Sequence, residues 1–94
     1  MEIEQFQKLI ERIYLERDKR RGIAKTYMWF VEEVGELARS IQNQRGMEEE
    51  FADVLAWLAT LASLSGISLE KAIRKYSHGC PRCNQTPCAC PFHR

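Results

Sequence analysis

Apolar residues recur at spacings of three and four from the start of the chain: Ile3, Phe6, Leu9, Ile10, Ile13 and Tyr14. That period marks one face of an amphipathic helix, which ends near Arg21-Gly22 and carries mixed charge on its other face. A second helix is predicted from about Ala24 to Gln44, with Val31, Val34, Leu37, Ala38 and Ile41 facing a core and Gly46 closing it. Gly35 inside this helix costs roughly 1 kcal/mol relative to Ala, which points to close approach of another helix or a ligand. The third helix, about Met47 to Ser65, is apolar around most of its circumference through Phe51, Val54, Leu55, Trp57, Leu58, Leu61 and Leu64. Gly66 ends it, and Ser68 is a natural N-cap for a short fourth helix, Leu69 to Tyr76. No strand-period alternation and no internal repeat is present, so the fold class is all-α.

A helix that is apolar on several sides needs cover on several sides. A chain of 94 residues has few other elements to supply it, and one this small buries only about 60–65% of the surface its unfolded form exposes. The expected architecture is therefore a short four-helix bundle, residues 1–76, that forms a homo-oligomer through the third helix, most simply a dimer. At Ser77 the composition changes abruptly. The stretch "SHGCPRCNQTPCACPFHR" holds all three prolines, all four cysteines and both histidines, with almost no large apolar residue. Residues 77–94 read as a separate appended tail.

Charge narrows the partners. A formal net charge of +1 gives no general reason to expect nucleic acid or an anionic membrane. The basic run Arg17, Lys19, Arg20, Arg21 and Lys25 reads as a solvated helix end rather than a phosphate-binding patch. The acidic start "MEIEQF" is unlike a signal peptide, so a cytoplasmic location is expected. The most apolar stretch, "FADVLAWLATLASLSG", is interrupted by Asp53 and is shorter than the roughly 20 residues that span a bilayer.

The acids are unevenly distributed. Seven of the thirteen, Glu32, Glu33, Glu36, Glu48, Glu49, Glu50 and Asp53, fall within "WFVEEVGELARSIQNQRGMEEEFADVLAW". Glu48 and Glu49 are explained as favourable negative charge in a first helical turn. The others need a different account. Glu33 and Glu36 share one helix face, as do Glu50 and Asp53 on the next helix, and two antiparallel helices would converge all four. Such a quartet is unstable without a cation, and Asp53 sits in the most apolar helix, where an unpaired charge is costly. Oxygen donors without His or Cys favour Mg²⁺, with Mn²⁺ as a substitute. Di-iron bundles need Glu-x-x-His pairs, and neither helix contains a histidine. Trp29 stands four residues before Glu33 and Trp57 four after Asp53, with Lys25 one turn further along. Either ring could stack on a nucleobase, worth roughly 1–3 kcal/mol, or fill core volume.

Taken together, "EEVGEL" followed by "EEFAD" resembles the MazG-type all-α nucleotide pyrophosphohydrolases over roughly residues 25–76. The resemblance implies hydrolysis of a nucleoside triphosphate between the α and β phosphates, releasing monophosphate and pyrophosphate, in a dimer or a dimer of dimers. It implies Glu33, Glu36, Glu50 and Asp53 as Mg²⁺ ligands, with Glu32 helping to hold a metal or to orient the attacking water. Lys25, Trp29 and Trp57 then become substrate-binding candidates, Trp57 for the base. Lys71, Arg74 and Lys75 are candidates for the outer phosphates, with solvated helix-end residues as the competing account of Arg74 and Lys75.

The tail lies outside that motif. Cys80-x2-Cys83 and Cys88-x-Cys90 could enclose one tetrahedral, structural Zn²⁺, with His78 and His93 as replacement ligands. Disulfides are the competing reading, and a redox-active C-x2-C lacks its βαβ context. A second functional class follows from the same tail: a non-catalytic helical adaptor or nucleotide sensor that contacts protein or nucleic acid through a zinc module.

Overall fold

A computed structural model describes residues 1–91. Its helices are α1 (Ile3–Arg21), α2 (Ile23–Asn43), α3 (Met47–Leu64) and α4 (Leu69–Ala72), the last continued by a 3-10 turn, Ile73–Tyr76. No strand occurs among the described residues. The all-α expectation holds, and no single described helix is long and apolar enough to cross a membrane.

One residue separates α1 from α2. Gly22 has φ +85°, donates its N–H to the Asp18 carbonyl at 3.0 Å, and accepts from the Thr26 N–H at 3.1 Å. It closes one helix and opens the next with a positive φ that only glycine adopts without a Cβ clash. The α2–α3 connection departs from expectation. Gln44, not Gly46, takes the left-handed cap of α2, with its N–H bonded to the Ser40 carbonyl, and Gly46 becomes the N-cap of α3. Ser68 caps α4 by accepting the Lys71 N–H at 3.2 Å. The helix predicted over Leu69–Tyr76 is α-helical for one turn only before it tightens into the 3-10 turn.

α2 and α3 form an αα-hairpin with the most extensive contact in the molecule, and α1 lies mainly along α3. Where the helices meet, the covered residues other than Ile10 are small or polar: Ala59 and Ala62 beside Gln7, Asp18, Thr26, Ser40 and Thr60. Each of these five polar side chains has a partner. The Gln7 amide donates to Ser63 Oγ (3.1 Å) and the Ile67 carbonyl (2.8 Å) and accepts from the Leu69 N–H (2.8 Å). It thereby joins α1 to the start of α4. Ser63 in turn donates to Glu11 Oε2 at 2.6 Å.

The apolar stripe expected to face a core within the chain does not. Val31, Val34 and Ile41 are 51%, 40% and 49% exposed, and Ala38 is exposed with them, leaving only Leu37 half-buried. The physical reason is geometric: α2 touches its neighbours along one face, and no described element lies on the other. Gly35 shares this openness, since a Cβ there would meet nothing within 4 Å. The close approach expected at that glycine is absent within the described chain.

Candidate metal centre and adjoining pocket

α2 supplies Glu33 and α3 supplies Glu50 and Asp53 to one acidic group. One carboxylate oxygen from each lies within 4.8 Å of the others. Glu50 stands in the first turn of α3, where helix polarity favours negative charge. The burial pattern is the informative part: Glu33 Oε2 and Glu50 Oε2 are both covered, and neither has a hydrogen-bond donor. Burial pushes the Glu33 carboxyl up, and the charges of Glu36, Asp53, Glu50 and Glu32 add to it. Glu50 is raised in the same way, by burial first, then by Glu36, Asp53 and Glu49, with Arg39 opposing. Glu36 is thus outside the trio but next in electrostatic influence on both buried members.

Two covered, donorless carboxylate oxygens among like charges fit a divalent cation. The three oxygens are near enough to one another to converge on a single ion. Asp53 itself is exposed. The cost expected for an unpaired charge in the most apolar helix is eased, because Asp53 faces a cleft and not packed side chains.

The cleft is a pocket of about 290 Å³ lined by Tyr14, Arg17, Asp18, Arg21, Asp53, Ala56, Trp57 and Thr60. Asp53 therefore belongs both to the acidic group and to the pocket wall. Across from it, Asp18 is 4% exposed, accepts from Thr60 Oγ1 at 3.2 Å, and pairs with the Arg21 guanidinium. Arg21 also donates to Thr26 Oγ1 at 3.1 Å and lies 4.9 Å over the Trp57 ring.

Residues 21–84 match the MazG nucleotide pyrophosphohydrolase domain. The chain belongs to the MazG family. The match is wider than the motif-bearing stretch 25–76, beginning at the pocket's Arg21 and running past Cys83 into the tail. No curated protein matches the chain.

The MazG domain distributes the remaining candidates unevenly. Trp57 is half-buried in the pocket, whereas Trp29 is 46% exposed and Lys25 is exposed, both away from the pocket lining. Glu32 is exposed beside Glu33. Lys71, Arg74 and Lys75 are exposed. Lys75 lies 5.1 Å over the Tyr76 ring and lines a recess formed by the tail, not the pocket beside Asp53. Conversely, the basic run at the end of α1 is not wholly solvated, since Arg17 and Arg21 line the pocket. Tyr14, Asp18 and Thr60 were also not singled out as pocket residues. The available signal was the Asp18–Arg21 spacing of three, which permits an ion pair on one helix.

Cys80, Cys83, Cys88 and Cys90 form a second group of their own. His78 is exposed and outside it, and His93 lies outside the described residues.

Proposed function

We propose that this MazG protein hydrolyses nucleoside triphosphates to nucleoside monophosphate and pyrophosphate, using Mg²⁺, or Mn²⁺ in its place. The observation that carries the reading is the pair of covered, donorless oxygens of Glu33 and Glu50, set beside a pocket that shares Asp53. Glu33, Glu50 and Asp53 hold the metal, and Glu36 joins them directly or through water. Bound there, Mg²⁺ neutralises phosphate charge and makes coordinated water more acidic.

The chain's own groups bind and orient. Arg17, which has no ion pair among the described residues, presents a guanidinium to the polyphosphate. Arg21 is held in place by Asp18 and Thr26, so its charge beside the pocket is fixed before substrate arrives. Trp57 and Tyr14 offer ring surface to the base. Glu32, adjacent to Glu33, is placed to orient water at the edge of the acidic group.

The active form is a homodimer or a dimer of dimers. Tyr27, Val31, Val34, Ala38 and Ile41 on α2 alternate spacings of four and three, as do Phe51, Leu55 and Leu58 on α3, and every one of them is exposed. That is a helix-packing seam without a partner in the single chain.

The test is incubation with ribo- and deoxynucleoside triphosphates, with and without Mg²⁺, and separation of products by anion exchange. Mg²⁺-dependent monophosphate plus pyrophosphate is expected, and Asp53→Asn should lower turnover about 100-fold or more with helical content intact. Absence of turnover on every nucleotide, or an Asp53→Asn variant as active as the parent, would overturn the reading.

A further inference from the structure

The tail carries a definite geometry that its composition does not explain. None of the described residues from Ser77 onward is buried, and only Gly79, Cys80, Cys83 and Cys90 are even half-buried. An apolar core is therefore not what shapes this segment. Yet the chain doubles back tightly around the cysteines. The Asn84 N–H donates to the Cys80 carbonyl at 2.7 Å, the Cys80 N–H donates to the Gln85 carbonyl at 3.1 Å, and Asn84 takes φ +58° to complete the turn. Gly79 has φ +103°, and a Cβ there would fall 2.6 Å from Thr86 Oγ1 and 2.9 Å from the Gln85 carbonyl oxygen.

The sulfurs are arranged as ligands. All four Sγ atoms lie within 4.8 Å of one another, and Cys80 Sγ to Cys90 Sγ is 3.7 Å. A tetrahedron of 2.3 Å Zn–S bonds has edges of about 3.8 Å, whereas a disulfide requires about 2.05 Å. Backbone N–H groups point at the sulfurs, from Ala89 to Cys83 Sγ and from Cys90 to Cys88 Sγ, each at 3.3 Å. Such donors stabilise thiolate charge. Four thiolates at this separation repel one another unless a cation joins them.

We infer that Cys80, Cys83, Cys88 and Cys90 form a closed tetrathiolate site for one Zn²⁺ that folds residues 79–91. All four positions are filled by protein, which leaves none open for substrate or water and makes the site structural. Metal binding supplies the folding free energy that the missing apolar core does not. The ligand class separates this centre from the acidic one: soft sulfur donors here, hard oxygen donors there.

The full chain, reduced and then freed of metal, is titrated with Co²⁺ in the presence of excess Mg²⁺. One equivalent should produce the intense visible bands of tetrahedral Co²⁺ with thiolate charge transfer, and one equivalent of Zn²⁺ should bleach them. Cys83→Ser and Cys90→Ser should each weaken Zn²⁺ binding by about 100-fold with the helical signal of α1 to α3 unchanged. Gly79→Ala keeps every thiol but crowds Thr86 and Gln85, and should weaken binding by about 10-fold, the order seen when groups supporting a metal's ligands are disturbed. Weak octahedral Co²⁺ spectra, unchanged affinity in both serine variants, or thiols of the denatured, chelator-treated protein that resist alkylation until reduced would overturn the assignment, the last in favour of disulfides. The readout is metal binding alone, so it stands or falls independently of nucleotide turnover.

Discussion

Glu33 and Glu50 place the strongest demand on their surroundings. Each has a covered oxygen without a donor, and each holds its proton more tightly than an ordinary glutamate. The unfolded chain releases those protons near pH 4.3, so between that value and the raised folded values the native state binds more protons than the unfolded state. Stability of the metal-free protein consequently falls as pH rises through that window, and acidification through it restores stability until both states are protonated. Mg²⁺ held there, as proposed, would need the ionised carboxylates, so its stabilising effect should be larger at pH 8 than at pH 5. Thermal midpoints with and without Mg²⁺ check this, using Glu33→Gln as the reference. That variant should flatten the metal-free pH trend and lose most of the Mg²⁺ shift. An Mg²⁺ shift as large at pH 5 as at pH 8 would contradict the account.

Among the helices, the junction of α1, α3 and α4 depends on one amide. Gln7→Ala leaves the Leu69 N–H and the Ile67 carbonyl without their partner, at a cost of about 1–3 kcal/mol in urea unfolding. Faster amide exchange at Leu69 should accompany it. Helical period located α1, α2 and α3 in the sequence to within a residue or two, and Ser68 was recognisable as a cap, because both signals are local. Gln44 was not recognisable as the left-handed cap of α2, since composition favours the nearby glycine and only the path of the connection decides between them. Period also says which residues share a face without saying what covers it, which is why Val31 and Val34 were expected inside and lie outside. Of the two i, i+3 acid pairs expected to converge, Glu33, Glu50 and Asp53 come together while Glu36 stays outside the group, because period fixes a shared face and not the distance between helices. The α1 side of the pocket was not, because Asp18 meets Thr60 and Arg21 meets Trp57 across long stretches of chain.

At the scale of the whole molecule, the single chain has its apolar surface arranged the wrong way round for a finished fold. Apart from Ile10 the covered residues are small or polar, while Tyr27, Val31, Val34, Phe51, Leu55 and Leu58 are open. An interface built on these stripes predicts that Val31→Glu shifts the protein from dimer to monomer in light scattering and lowers its melting temperature. It also predicts a melting temperature that rises with protein concentration in the parent chain. A parent that is monomeric at high concentration would remove the seam as an assembly surface.

Trp57 carries a further consequence for recognition. With the Arg21 guanidinium over one side of the indole, that side is already occupied, and a planar ligand in the pocket finds a single free face. The Tyr14 ring, which also lines the pocket, is the other aromatic surface a flat ligand could meet there. Stacking on either ring tolerates different bases, roughly 1–3 kcal/mol per base, so under the proposed function discrimination among purines and pyrimidines falls to the hydrogen-bonding groups that meet the ring edges.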